Sequence, residues 1–305
     1  MRAPIGVLAM AYGTPRDRDG IEAYYTDIRR GRPPTPELLA QLVARYDALG
    51  GTFPLRALTA AQCAGLQAAL DDVDAGRYAV ALGQKHAQPS VEDGVRELAG
   101  RGAHRVVGLV LAPHYSRFSV GEYAERAAAE GELAGVPVET VESWHLLPAY
   151  VDFLAAAVTD ALAAVPPGSD VLFTAHSLPE RILATGDPYP AQLRETAEAV
   201  AGRLRLDRWA VGWQSAGRTP EPWLGPDVLE VVRARAAAGA AGLVACACGF
   251  VADHLEVAYD LDIEAAGLAA SLGLPFARTR SVNDDAGVLR ELARLVADRA
   301  DRAAP

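Results

Sequence analysis

Short apolar runs alternate with longer amphipathic stretches along the whole chain. The runs lie at 5–11, 78–82, 106–112, 138–141, 171–175, 209–212 and 243–247. Most are bounded by Gly, Pro or charge. They are apolar without strict alternation, as strands covered on both faces are. Between them, apolar residues recur at helical spacing over 36–49, 58–70, 91–98, 122–133, 150–164, 192–204 and 227–237. A further helix is expected over about 253–270 and a last one over 286–302. This alternation predicts an α/β fold with parallel sheets.

The pattern restarts once. VPPGSD at 165–170 reads as a loop between a helix and a new strand. Each half has a strand running into a histidine-bearing turn, LVLAPHYSRFS (109–119) and VLFTAHSLPE (171–180). The expectation is two similar doubly wound, Rossmann-like domains, 1–165 and 166–305, with an active-site cleft between them. The last helix, 286–302, would pack back on the first domain. Ligands of open α/β sheets sit at the carboxyl ends of strands, which singles out His114 and His176.

Composition narrows the function. Acidic residues outnumber basic ones, 39 to 29, for a formal net charge of -10 over 305 residues. That excludes a broad nucleic-acid surface and leaves room for a local basic pocket. No apolar stretch approaches the ~18 residues of a membrane span. The N-terminal MRAPIGVLAMAYGTP lacks the features of a signal peptide. A soluble, cytoplasmic protein is expected. Cys63, Cys246 and Cys248 are too few for a disulfide framework. Cys246 and Cys248 would face the same way on a strand, and small buried residues are favoured over metal ligands there. The sequence has no G-x-G-x-x-G, G-x-x-x-x-G-K-[ST] or G-x-S-x-G, so nucleotide binding and a hydrolase triad lose their best signals.

Two segments carry candidate chemistry. In GFVADHLEVAYDLDIEAA (249–266), Glu256, Asp260 and Glu264 are spaced i, i+4, i+8 and stack three carboxylates along one helical face. Such a stripe suits divalent cations or proton movement; the plain alternative is a solvated acidic face. His176 and Glu256 come from successive strand ends of the second half. They would make either an open metal site or an acid–base pair. In AYGTPRDRDGIEAYYTDIRRGRPP (11–34), Arg29, Arg30 and Arg32 cluster with Tyr12, Tyr24 and Tyr25, and Arg45–Tyr46 repeats the chemistry. Arginine forks with phenolic rings suit a large flat polycarboxylate. A basic helix terminus is the structural alternative. Lys85, the only lysine among 29 basic residues, lies in GQKHAQPS.

At these residues the chain resembles the ferrochelatases, and most of all the short soluble bacterial type that metallates coproporphyrin III. The words that carry the resemblance run nearly end to end. They are LAMAYGTP (8–15), YYTDIRRGR (24–32), ARYDALGG (44–51), GQKHAQPS (83–90), LAPHYSRFSVGEY (111–123), VESW (141–144), AHSLPE (175–180), GDPYPAQL (186–193), AVGWQSAGRTPEPWLGPDV (210–228) and GFVADHLEVAYDLD (249–262). The resemblance implies that His176 and Glu256 bind Fe(II) and accept pyrrole protons, with Asp260 and Glu264 extending the metal or proton path. It places Tyr12 on the opposite porphyrin face. Arg29, Arg30, Arg45, Tyr46, Thr52, Lys85, His86 and Tyr123 fall in porphyrin-binding segments. It implies Fe(II) as substrate rather than a permanent cofactor, a porphyrin partner, and a monomer. The alternatives are a protoporphyrin IX ferrochelatase, a non-catalytic porphyrin or haem carrier on the same fold, and a cobalt chelatase for a corrin precursor.

The chain departs from the family in two places. GGTFPL puts Phe53 where short relatives carry a serine, removing a hydroxyl donor. ACACGF replaces a proline-containing run before the glycine turn. With three cysteines and none after Cys248, a four-cysteine [2Fe–2S] cluster is not expected.

Overall fold

The computed structural model describes residues 3–51, 54–217 and 219–302. Thr52 and Phe53, both singled out from the sequence, lie outside the described residues. The chain divides into two compact units, Met1–Ala112 with Arg117–Ser143 and Asn283–Pro305, and Pro113–Ser116 with Trp144–Val282.

In the first unit, β1 (Ile5–Ala11) lies between β2 (Tyr78–Gln84) and β3 (Val106–Val110), with β4 (Val138–Val141) beyond β3, all parallel. Leu8 sits opposite Ala81 on one side and Gly108 on the other. A central strand with helices on both faces can expose neither set of alternate residues. Accordingly Ile5, Val7, Leu8 and Met10 are all buried. The helices are α1 (Ile21–Ile28), α2 (Pro36–Ala48), α3 (Leu55–Val73), α4 (Val91–Gly100) and α5 (Glu122–Ala134). Their starts follow local chemistry. Thr35 Oγ1 accepts the Leu38 N–H ahead of Pro36 in α2, and Ser90 and Asp93 cap α4 reciprocally at 3.1 and 2.9 Å.

The second unit repeats the plan. Its helices are α6 (Pro148–Leu162), α7 (Arg181–Ala184), α8 (Tyr189–Leu204), α9 (Val228–Ala237), α10 (Leu255–Val257) and α11 (Ala266–Ser271). In its sheet, β5 (Asp170–His176) lies between β6 (Trp209–Gln214) and β7 (Leu243–Cys246), with β8 (Phe276–Arg278) beyond β7. In both sheets the chain leaves the central strand to one side for its second strand and to the other for its third. Loops after the first and third strands therefore diverge, opening a crevice at their carboxyl ends. Tyr12 follows β1 in one unit. His176 ends β5, and the 247–255 turn follows β7, in the other.

Three features differ from the sequence-based expectation. The units part at 143/144, not 165/166, because α6 has eight buried residues and packs on α8 and β7 of the second unit. The loop at 165–170 is a turn within that unit. β8 has only three residues, too few for a periodic signal, and α1 buries only Ile21, so it carries no apolar stripe. The last helix, α12 (Ala286–Arg302), lies on α3 of the first unit. The contact is close: a Cβ on Gly65 would stand 2.6 Å from Leu289 Cδ1, and Gln62 Nε2 donates to the Asn283 carbonyl at 2.9 Å.

His114 lies on the turn after β3, as the strand-end argument requires, but it is 1% exposed. Its Nε2 is 2.9 Å from Thr196 Oγ1, and its Nδ1 has no hydrogen-bond partner among the described residues. Burial, with His145 nearby, pushes its pKa down to about 3. It is a neutral group of the interior rather than a solvent-facing acid or base. The unfolded chain protonates this imidazole near its ordinary value while the folded protein cannot. Stability therefore falls as pH drops below ~6.5, by about 1.4 kcal/mol per pH unit until the folded pKa is reached. Urea denaturation at pH 7 and pH 5 should show this loss in the parent. His114→Gln should lack that share of the slope, whatever its absolute stability; an unchanged slope would refute the assignment.

Candidate active site

The second unit builds its site from the ends of β5 and β7. His176 is the last residue of β5, opposite Gln214 of β6. The chain leaving β7 turns tightly, and Gly249 N–H bonds the Thr174 carbonyl at 2.9 Å. A Cβ on Gly249 would fall 2.3 Å from Ala175 Cβ and 2.6 Å from its Cα, so the turn lies directly on β5 beside His176. The following residues lead into α10, whose first turn carries Glu256.

Glu256 is thereby placed between two imidazoles. Its Oε2 is 3.6 Å from His176 Nε2 and 3.6 Å from His254 Nε2. His176 Nδ1 lies 2.5 Å from the Ser177 carbonyl, so Nδ1 carries a proton and Nε2 is the atom that gains or loses one. Burial disfavours the imidazolium. The Glu256 carboxylate, the Ser177 carbonyl and Asp260 outweigh that and raise the His176 pKa. Burial likewise disfavours the Glu256 carboxylate, but His176 and His254 together hold its pKa well below the usual range. Both side chains are about a third exposed, 34% and 33%, so they are reachable. Phe250 packs near both rings, 6.5 Å from His176 and 4.9 Å from His254 between centroids, and Tyr189 OH donates to the His176 carbonyl at 3.0 Å.

The acidic stripe has a geometry the spacing did not anticipate. Ala258–Ala265 is π-helical, between α10 and α11. In an α-helix each four-residue step leaves about 40° of surplus rotation, so an i, i+4, i+8 row drifts around the axis. The wider π turn rotates less per residue and offsets that drift. Glu256, Asp260 and Glu264 thus stay near one face. Asp260 is 5% exposed and accepts from Ser215 Oγ; Glu264 is half-buried. Among the described residues no group of three or more His, Cys, Asp or Glu side chains converges to hold a metal ion. His176 and Glu256 meet, while Asp260 and Glu264 continue from them along the helix.

The first unit gathers a second set around the end of β1. Tyr12, 42% exposed, meets the His86 ring edge-on at 4.7 Å. His86 Nδ1 is 2.6 Å from Asp27 Oδ2. The Lys85 ammonium pairs with Glu122 and lies 5.4 Å from the centre of the Tyr123 ring. Arg126 grips Glu92 with two bonds of 2.7 Å and donates to the Lys85 carbonyl at 2.9 Å, fixing this loop. Tyr123 and Tyr46 are buried, so their rings serve largely as core. Arg29 lies 5.7 Å over Tyr25, and Arg30 is open to solvent with Glu122 3.9 Å away. Arg45 closes the last turn of α2.

Sequence reasoning passed over His254, although it stands two residues before Glu256 in the same motif. It also passed over Asp27 and Glu122. These lie 59 and 37 positions from their partners His86 and Lys85, and no local spacing announces such pairs. Cys246 and Cys248 are fully buried, and burial raises the Cys248 thiol far above its ordinary pKa, as for inert core residues.

The fold is that of the chelatases. The sirohydrochlorin chelatase SirB from Bacillus subtilis subspecies spizizenii, solved with cobalt, aligns over 98% of this chain and 97% of its own with a TM-score of 0.61 at 10% identity. CbiX, described as the terminal enzyme of siroheme biosynthesis in denitrifying bacteria, aligns over 98% and 100% with a TM-score of 0.53 at 14% identity. The chain belongs to the ferrochelatase family, which matches residues 4–300. It is 44% identical to a coproporphyrin III ferrochelatase of Geobacillus sp. (strain WCH70) over 97% of both chains. It is 45% identical to one of Halalkalibacterium halodurans over 92% of both. The resemblance read from the sequence words therefore holds along nearly the whole chain.

Gly249→Ala tests the local architecture. The added methyl must displace the turn from β5 and should cost about 1–3 kcal/mol. Urea denaturation reads this directly, and a variant as stable as the parent would show that the turn has slack.

Proposed function

We propose that this protein is an enzyme that inserts Fe(II) into coproporphyrin III to give coproheme, with release of two protons. The reading is carried by His176 Nε2 facing Glu256 at the crevice of the second sheet. It is supported by 43–45% identity to proteins named coproporphyrin III ferrochelatases over most of the chain.

Insertion requires two pyrrole N–H protons to leave and the metal to shed water. His176 Nε2 accepts a proton when its imidazole is neutral, and Ser177 fixes its tautomer. Glu256 stabilises the resulting imidazolium and offers a hard oxygen to the arriving cation. Asp260 and Glu264 continue the carboxylate path along the π-helical segment. Fe(II) enters as substrate, and no resident cofactor is required. Tyr12, Arg29, Arg30, Arg45, Thr52, Lys85 and His86 are assigned to porphyrin binding, with exposed arginine forks facing propionates, while the buried Tyr46 and Tyr123 back that surface from the core. Among the described residues no helix is long and apolar enough to cross a membrane. We place the reaction in the cytoplasm, carried out by a monomer.

Anaerobic assays of His176→Ala and Glu256→Gln should show Fe(II) insertion falling about 10²–10⁴-fold with the fold retained. Full turnover by either variant would remove that residue from the chemistry. Side-by-side kinetics should show kcat/KM for coproporphyrin III at least about tenfold above protoporphyrin IX, a factor worth ~1.4 kcal/mol of transition-state binding. Equal values would leave only the general porphyrin reaction. Tight metalloporphyrin binding with no metallation of free base would instead define a carrier.

A further inference from the structure

Residues 253–264 carry five carboxylates, Asp253, Glu256, Asp260, Asp262 and Glu264. Two of them are held by one guanidinium. Arg278 ends β8, and its side chain is only 17% exposed. Its Nε donates to Asp262 Oδ1 at 2.7 Å and its Nη2 to Asp262 Oδ2 at 2.9 Å, fork to fork. Its Nη1 reaches Asp253 Oδ1 at 3.0 Å and the Thr279 carbonyl at 3.1 Å. Ser281 Oγ supplies Asp253 Oδ1 with another donor at 2.8 Å.

One contact lies in the turn before α10 and the other inside the helix that follows. Asp253 lies three residues before Glu256, and Asp262 lies inside the π-helical segment, two residues after Asp260. Residues two apart do not share a helical face. Arg278 therefore engages the helix away from the stripe of Glu256, Asp260 and Glu264. A π-helical stretch is rare and needs tertiary support. A rigid planar group that ties one residue of it, Asp262, to Asp253 in the turn before α10 gives that support, and a single ammonium cannot copy the geometry.

We propose that Arg278 is a positioning residue: by joining Asp253 to Asp262 it holds the backbone that sets Glu256 against His176, and it keeps those two carboxylates out of the metal path. The proposal rests on the reading of His176 and Glu256 as the metal-insertion pair. It extends that reading to a residue that touches neither substrate nor metal.

The test compares Arg278→Gln, Arg278→Lys, Asp262→Asn and the double variant Arg278→Gln/Asp262→Asn, with Glu256→Gln as reference, in anaerobic Fe(II) insertion by the full chain. Separate saturation curves are measured for Fe(II) and for porphyrin. Loss of the clamp should raise the KM for Fe(II) about tenfold or more, the scale of outer-shell effects at metal sites, and leave the porphyrin KM unchanged. Partial unfolding would lower the apparent kcat without moving the Fe(II) KM. Arg278→Lys should fall between the parent and Arg278→Gln. The double variant should be no worse than the single ones, because all remove the same contact. If Arg278→Gln does not fold, Asp262→Asn alone carries the test. An unchanged Fe(II) KM in Asp262→Asn, or additive effects in the double variant, overturns the proposal. Full activity in Glu256→Gln would instead overturn the reading beneath it.

Discussion

Gly249 has no room for a side chain, and the site depends on that lack of room. The turn after β7 lies on the backbone of β5 at Ala175, one residue before His176. The contact sets the start of the next helix, and with it the distance between an imidazole and a carboxylate. At 3.6 Å each group sustains the charged form of the other against burial. The proton on His176 is therefore held more firmly than on a free imidazole, yet the side chain remains a third exposed. A looser turn would give an ordinary histidine and an ordinary glutamate. The sheet order supplies the rest, since only strands flanking the switch point deliver their carboxyl ends to one crevice.

The helix that follows solves a separate problem. Five carboxylates over residues 253–264 would repel one another if all faced one way. The chain divides them. Asp253 and Asp262 go to Arg278, while Glu256 faces two histidines and Asp260 accepts from Ser215. The π-helical turn keeps Glu256, Asp260 and Glu264 near a common face while the arginine works elsewhere on the helix. An acidic stripe read from spacing alone is ambiguous between a solvated surface and a path for cations. The partition of partners leaves Glu256, Asp260 and Glu264, rather than Asp253 and Asp262, as the carboxylates such a path would use.

Much of this was legible in the sequence. Strand and helix periodicity gave the α/β class. Strand ends gave His176, and the motif at 249–266 gave Glu256, Asp260 and Glu264. What was not legible shares a physical cause, since it depends on residues far apart in the chain. Arg278 meets Asp262 across 16 positions and His86 meets Asp27 across 59. The unit boundary was misplaced because a Pro-Gly loop marks a change of element, not of core, and α6 packs forward in the chain. The π-helical turn left no sign, because composition does not distinguish it from an α turn. His114 shows the reverse error: topology located a histidine correctly, but burial decided that it stays neutral.

The first unit adds a constraint on how an anionic ligand can be recognised there. The basic side chains around the end of β1 already have carboxylate partners within the unit. Lys85 is with Glu122, His86 with Asp27, and Arg126 with Glu92, whose pKa is held down to about 2, first by the bond from Arg126. A ligand carboxylate that sought these groups would have to displace an internal partner and leave it uncompensated, which is costly where the pair is part-buried. These pairs shape the loop more than they attract charge. The solvent-facing forks of the 24–32 segment are more accessible, Arg30 above all, whose side chain is 88% exposed. Lys85, the only lysine among 29 basic residues, then has a defined place. Its side chain is only 12% exposed, and its ammonium bridges Glu122 and the face of Tyr123. A compact ammonium meets a carboxylate and a ring face together, where a guanidinium fork is shaped for two parallel bonds to one carboxylate.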